Sequence, residues 1–311
     1  MKSDLDFDKK RKISVGEGGA VQFRIRDFVV EPGRSINLKK DFDPDFTGGF
    51  DDKAGALEHV AANVQNLSDM QEMLYAQDTY SLLIVFQAMD AAGKDGAIRH
   101  VMSGINPQGC QVTSFKSPSS EELDHDYLWR AAKALPARGM IGIFNRSYYE
   151  EVLVVRVHPE FLAKQKIPPK TREGDIWKGR FKEINNFEKY LRHNGTIILK
   201  FFLNVSKKEQ KKRFLARIDE PDKNWKFSPA DYAERKYWDE YQSAFEAMLE
   251  NTSTEWAPWF VIPADNKWFA RLAISQIVSA ALERLDLSMP TVDDKRRAEL
   301  QDIRRQLMEE D

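Results

Sequence analysis

The stretch Ser81-Leu-Leu-Ile-Val-Phe-Gln-Ala-Met-Asp-Ala-Ala-Gly-Lys-Asp-Gly96 decides how this chain is read. A short apolar run breaks into a small loop with Gly93 and Lys94, and a helix-like segment follows. A strand, a tight loop and a helix start present successive backbone N–H groups to a phosphate, and the lysine adds a point charge. Against the pattern G-x-x-x-x-G-K-[ST], Gln87 stands in place of the first glycine and Asp95 in place of the final Ser/Thr. The magnesium-binding hydroxyl is therefore missing, while a carboxylate, Asp90, has appeared inside the loop. The expectation is phosphate-plus-metal chemistry on a variant loop, with Ala92, Gly93, Lys94, Asp95 and Gly96 around the anion.

Outward from the loop, five apolar runs read as strands: 82–86, 111–115, 140–144, 197–202 and 259–262. Segments with helical spacing lie between most of them, and Leu57, Val60, Ala61, Val64 and Leu67 mark one before the first strand. Runs buried on both faces and alternating with helices predict a parallel sheet covered on both sides, with ligands at the C-terminal ends of the strands. Three regions fall outside the pattern. Residues 1–50 read as an extended arm, 204–236 as a basic helix followed by a Pro-containing turn, and 291–311 as a charged helix at the surface or facing a partner. Residues 51–290, which include 204–236, read as one catalytic domain.

Composition narrows the function classes. Lys+Arg 47 against Asp+Glu 49 leaves −2 over 311 residues, so global charge does not argue for nucleic acid. No apolar run approaches the roughly 20 residues that span a bilayer. Met1–Arg11 is charged and lacks a signal-peptide apolar core, and Cys110 is the only cysteine, so the expected compartment is the cytoplasm. There is no H-E-x-x-H, no G-x-S-x-G and no C-x-x-C.

Several charged residues are candidates for the chemistry. Asp90 reads as a helix cap or as a holder of Mg²⁺, and Asp95 as a second carboxylate or a helix-end stabiliser. The third strand runs into Asn145-Arg146-Ser147-Tyr148-Tyr149-Glu150-Glu151. Asn145 can orient a coordinated water, and the Arg146 fork can hold a phosphoryl group or pair with Glu150 or Glu151. Lys207-Lys-Glu-Gln-Lys-Lys-Arg-Phe-Leu-Ala-Arg217 carries six basic residues and one acidic, a local +5. Phe214, Leu215 and Ile218 are expected to pack, leaving Lys208, Lys212, Arg213 and Arg217 elsewhere on the helix. Followed by Lys223 and Lys226, that helix reads either as a solvated face or as a lid over a polyanion. Lys116 and Arg130 add cations near the ligand edge.

Taken together, Gln87–Gly96, Asn106-Pro-Gln-Gly109, Asp126-Tyr-Leu-Trp-Arg130, Phe144–Glu150, Leu199-Lys-Phe-Phe-Leu203, Asn224-Trp-Lys-Phe227 and Ala257-Pro-Trp-Phe-Val-Ile-Pro263 resemble, in order over about residues 35–290, the second polyphosphate kinase family. The resemblance implies an α/β fold of P-loop kinase type, a three-layer α/β/α sandwich with a five-stranded parallel sheet and a helical lid. It implies Mg²⁺-dependent phosphoryl transfer between inorganic polyphosphate and a nucleotide. By motif match, Asp90 resembles the magnesium organiser, Lys94 the phosphate-binding lysine and Arg146 the arginine after the third strand. Arg130 and the lid, Lys208, Lys212, Arg213, Arg217 and Lys226, resemble the polyphosphate-binding cations. Asn145, Arg146, Tyr149 and Glu150 are expected at the nucleotide. Glu150 stands where many relatives carry Asn, and marks the branch that accepts nucleoside monophosphates and sometimes diphosphates. Dimers or tetramers are implied, with no nucleic acid or membrane partner. An ATP-dependent nucleotide kinase of thymidylate-kinase type and a non-catalytic phosphate-loop protein are the competing readings.

Overall fold

All five apolar runs form strands of a single parallel sheet. After the paired strands β1 (Lys10–Val15) and β2 (Gly19–Arg24), these are β3 (Ser81–Ala88), β4 (Cys110–Ser114), β5 (Ile141–Asn145), β6 (Thr196–Asn204) and β7 (Trp259–Pro263), in the spatial order β4-β5-β3-β6-β7. The structure, a computed structural model, describes residues 10–15, 19–50 and 53–310, and the side chains of 10–22, 53–58, 61 and 62 lie outside that description. The charged residues before Lys10, and the side chains of Leu57 and Ala61, therefore fall outside the described residues.

The order puts the first-made strand, β3, at the centre. Phe86 pairs with Asn145 of β5 on one side and with Phe201 of β6 on the other. β3, β6 and β7 are buried over nearly their whole length, as covered parallel strands require. β4 departs from that expectation: it is the edge strand, and Val112 is half exposed. The seven longer helices are α1 (Lys53–Gln77), α2 (Lys94–Val101), α3 (Ile176–His193), α4 (Lys207–Asp219), α5 (Trp238–Thr252), α6 (Lys267–Glu283) and α7 (Asp294–Glu309). α1 and α2 pack on α6, while α3 packs on α5 and β6, which gives helical layers on the two faces. The fold is P-loop kinase-like.

Residues 23–50, read from sequence as part of an arm, lie against the core and bury Phe23, Ile25, Phe28, Val30, Leu38 and Phe50. Val30 N–H donates to the Trp259 carbonyl at 2.9 Å, so this segment covers the open edge of β7. α7 is exposed along its whole length. Its Asp293 cap and its i,i+3 pairs Arg297–Asp294, Arg296–Glu299 and Arg305–Asp302 are all local.

Candidate active site

β3, β4, β5 and β6 all end at one edge of the sheet, and the loop 89–93 leaves β3 there to enter α2. Ala91 at φ 60° and Gly93 at φ 109° turn the chain through left-handed backbone, which for alanine costs of order 1–3 kcal/mol. The N–H groups of Lys94, Asp95 and Gly96 begin a helix with no acceptor inside it, and Gly93 supplies no side-chain cap. An anion is the partner such a start lacks. Lys94 folds back over the loop, its Nζ donating to the carbonyls of Ala88 at 2.9 Å and Met89 at 3.4 Å. Burial pushes its pKa down, against the pull of Asp90, while Arg146 adds to the depression. Among the described residues its ammonium makes no ion pair.

Arg146 reaches the loop from β5. Its Nη2 lies 3.1 Å from Asp90 Oδ1, and the two side chains remain 42% and 29% exposed. The pairing is thus with Asp90, not with Glu150 or Glu151 as the local alternative supposed. Arg146 itself sits at φ 62°, a second left-handed non-glycine residue at the site. Burial opposes its charge, yet Glu150 and Asp90 hold its pKa above the ordinary arginine value. Burial raises the Glu150 pKa, against Arg146, Lys94 and a hydrogen bond with Gln87. Gln87, in place of the expected glycine, donates to Ser147 Oγ at 3.1 Å and so ties β3 to the turn after β5. Asn145 donates to Asp95 Oδ1 at 2.8 Å, which joins β5 to the first turn of α2.

Beneath Arg146 lies a charged cluster that sequence reasoning missed. Lys200 of β6 is wholly buried and donates to Glu188 Oε2 at 2.7 Å, to the Thr252 carbonyl at 2.7 Å and to Tyr149 OH at 2.9 Å. Glu188 Oε1 accepts from Tyr148 OH at 2.8 Å and Tyr149 OH at 2.7 Å. Both tyrosines belong to the 3-10 turn Tyr148–Val152 that follows Arg146, so the cluster anchors the turn from below. Tyr149, expected at the nucleotide, is instead a core residue with 0% exposure. The signal in the sequence was the single lysine inside Leu199-Lys-Phe-Phe-Leu203, since a charge buried on both faces needs a partner.

The basic helix α4 packs through Gln210, Arg213 and Phe214, whereas Leu215 and Ile218 are 47% and 50% exposed, contrary to the expected packing face. Gln210 Nε2 donates to the Asp90 carbonyl at 2.9 Å. Arg213 Nη1 donates to the carbonyls of Ala91 at 3.0 Å and Ala92 at 2.8 Å. Its Nη2 reaches those of Ala264 at 2.6 Å and Asp265 at 3.0 Å, and its Nε reaches Glu209 at 2.9 Å. Arg213 is therefore a brace of the loop with no nitrogen left over for a polyanion. Lys208 and Lys212 lie close to half a turn around the helix from Gln210 and face solvent, away from the loop. Arg217 bonds the Lys226 carbonyl at 3.2 Å and Asp231 at 3.5 Å, and Lys226 stands exposed over Trp225. Burial and then Asp90 raise the Asp231 pKa.

On the β4 side, Arg130 is buried against Phe115 and donates to the Lys116 carbonyl at 2.8 Å, while the Lys116 side chain is exposed. Arg130 borders a cavity of about 420 Å³ shared with Tyr127, Glu151, Gln165, Arg180 and Glu183. Arg180 bonds the carbonyl of Glu151 at 2.7 Å, and Tyr127 OH donates to Glu183 at 2.8 Å. For a metal, no three His, Cys, Asp or Glu side chains converge among the described residues. Asp90, partly exposed beside Lys94, is one hard carboxylate. That donor set fits Mg²⁺ arriving on substrate phosphates, which supply most of its ligands, and does not fit an all-protein cage.

A family model described as polyphosphate kinase 2 matches residues 51–290. An ADP-polyphosphate phosphotransferase of Rhodopseudomonas palustris is 51% identical over 292 residues, which is 93% of this chain and 100% of the relative. An AMP/ADP-polyphosphate phosphotransferase of Meiothermus ruber is 45% identical over 267 residues, covering 86% of this chain and 96% of that one. Among solved structures, polyphosphate kinase 2 from Arthrobacter aurescens superposes with a TM-score of 0.79 at 42% identity, over 88% of this chain and 95% of its own. With the family model spanning well over half of its length, the chain belongs to the polyphosphate kinase 2 family.

Proposed function

We propose that this protein transfers the terminal phosphoryl group of inorganic polyphosphate to AMP, giving ADP, and to ADP, giving ATP, reversibly and with Mg²⁺. An acceptor phosphate oxygen forms the new P–O bond as the terminal phosphoanhydride bond breaks, and polyphosphate leaves one unit shorter. The observation that carries the reading is Lys94, an ammonium with no carboxylate partner at the uncapped start of α2 in a chain of this family. The names of the relatives from R. palustris and M. ruber support ADP and AMP as acceptors.

The phosphoryl-transfer transition state is loose and spreads charge over its oxygens, so positioning and electrostatic stabilisation do most of the catalysis. Lys94 and the first N–H groups of α2 hold the transferring group, and Arg146 meets it from β5. Mg²⁺ held at Asp90 would neutralise phosphate charge there. Gln210 and Arg213 keep the loop in shape without touching substrate. The cavity beside Arg130 falls within the usual range for small-molecule sites and takes the nucleoside, with Asn145 and Glu150 at its phosphates. The segment 204–236 acts as a lid. A cytoplasmic homo-oligomer, dimer or tetramer, goes with this reading, and light scattering on the purified protein measures it.

The test is incubation of purified protein with AMP, Mg²⁺ and polyphosphate, with ATP as the alternative donor. ADP formed from polyphosphate supports the proposal. Use of ATP alone makes the protein a nucleotide kinase, and inertness with both donors makes it a binding protein. Asp90→Asn should abolish Mg²⁺-dependent turnover in a protein that melts normally, and near-normal kcat would sink the metal assignment.

A further inference from the structure

The lid returns to the body along residues 221–237, a leg in which every residue stays partly or largely exposed. Apolar packing therefore does little to hold it, and its position depends on polar ties. We propose that Glu234, held by His158 and Tyr241, is the latch that fastens this leg to the body, and that through Arg235 and Gln210 it positions the phosphate loop at Asp90. The latch stands on the free protein alone, while its part in turnover rests on the phosphoryl transfer proposed above.

Glu234 closes the short helix Pro229–Glu234, and its Oε2 takes two hydrogen bonds. His158 Nε2 lies 2.9 Å away, and Tyr241 OH donates at 2.7 Å. A carboxylate only accepts, so Nε2 carries the proton of the first bond. The two donors come from separate parts of the body. His158 is buried where the helical turn Val154–Val157 ends, just beyond the Tyr148–Val152 turn, and Tyr241 is buried in α5. The rings of Tyr237 and Phe161 stand edge-on to the imidazole at 4.8 and 5.7 Å, and Glu160 lies 3.4 Å from Nδ1. Among the described residues, every hydrogen bond from 221–237 to a residue outside the lid is made by Glu234.

The next residue carries the tie inward. Arg235 Nη1 donates to Gln210 Oε1 at 2.5 Å, and its Nη2 donates to the Lys207 carbonyl at 3.0 Å. Gln210 thus has its oxygen on the latch side and its nitrogen on the Asp90 carbonyl, at 2.9 Å. Fixing the oxygen fixes the plane of the amide, and so aims Nε2 at the loop. Tyr241 itself lies near enough to the site that Glu150 and Asp90, after burial and Glu234, raise its pKa. A phenol that keeps its proton remains a donor to Glu234. Glu234, His158 and Arg235 touch no reacting atom; they position the lid and the loop.

Amide hydrogen exchange on the free protein reads the latch without turnover. In Glu234→Ala the amides of 227–237 should exchange at least about tenfold faster, as the loss of a hydrogen bond to a charged group implies, and those of 89–97 should follow. Glu234→Gln keeps an oxygen where Oε2 stands and should exchange like wild type. Tyr241→Phe removes one donor and leaves the ring, so it should fall between the two, and it carries the test if Glu234→Ala fails to fold. With AMP and polyphosphate, kcat of Glu234→Ala should fall about tenfold with KM for AMP little changed, and Glu234→Gln should restore it. Gln210→Ala added to Glu234→Ala should cost little more than the larger single effect, because both act through one amide. Unaltered exchange in Glu234→Ala, a Glu234→Gln variant as damaged as Glu234→Ala, or full additivity with Gln210→Ala each overturns the proposal. Wild-type protein inert toward polyphosphate would break the proposed donor, and the exchange comparison would then decide the latch alone.

Discussion

Lys94, at the start of α2, and Lys200, inside β6, are two partly or wholly buried lysines, and they are held in opposite ways. Lys200 meets a carboxylate, a phenol and a carbonyl, so its charge is spent inside the protein. Lys94 meets only carbonyls, because the nearby Asp90 is taken by Arg146. Burial lowers the pKa of both, but only Lys200 is compensated by an ion pair of its own. The difference separates a charge that holds the fold from a charge held ready for a ligand. The Lys200 cluster also bears on the site, since Tyr148 and Tyr149 connect Glu188 to the turn that follows Arg146.

The comparison breaks most visibly at Lys200. Lys200→Met leaves Glu188 buried without its cation and should cost about 3–5 kcal/mol of stability, read as a lower midpoint in urea. Adding Glu188→Leu should recover a large part of that loss, and a double variant no better than the single would show that packing, not charge, is what Lys200 supplies. Lys94→Ala should do the reverse, lowering kcat by about 10²–10³-fold with a melting temperature close to wild type. Tyr148→Phe removes one hydrogen bond to Glu188, and a loss of about 1.5–3 kcal/mol in stability is expected. If kcat falls further than the loss of folded protein explains, the turn also tunes Arg146. The smallest effect is on pH dependence. Burial makes Lys94 give up its proton below the ordinary lysine value of 10.5. Its charge is present below that lowered pKa and lost as pH rises through it, so kcat/KM should fall on the alkaline side before 10.5 is reached. That limb should vanish from the residual activity of Lys94→Ala.

The sheet was legible in the sequence because four of its five strands are buried on both faces and so appear as mainly apolar runs, broken in β6 by Lys200. β4 was found as a strand but not as an edge, since Gln111-Val-Thr reads the same whether or not a neighbour covers it. The loop, Asp90, Lys94 and Arg146 were legible as a site, because their spacing follows a strand into a helix. What each cation does was less so. Periodicity alone separates Gln210, Arg213 and Phe214 from Lys208 and Lys212, but Leu215 and Ile218 suggested a different buried face, and an exposed apolar residue carries no label. Arg213 binds carbonyls more than 50 and more than 120 residues away, and backbone acceptors leave no mark in a sequence. Glu188 and Tyr149 likewise met Lys200 only once helix, turn and strand had been assembled.

One last consequence follows from where the loop finds its braces. Its residues leave the ribosome well ahead of their braces, since the Asp90 carbonyl accepts from Gln210 across 120 residues, and the Ala92 carbonyl from Arg213 across 121. At roughly 5–20 residues per second, synthesis of that interval occupies about 6–24 s. During that time the nascent chain carries the phosphate-binding sequence without the groups that fix its shape. The part of the site that is written first is thus the part that matures last, and a nascent chain gains the ability to grip its substrate only after β6 and α4 have followed it out.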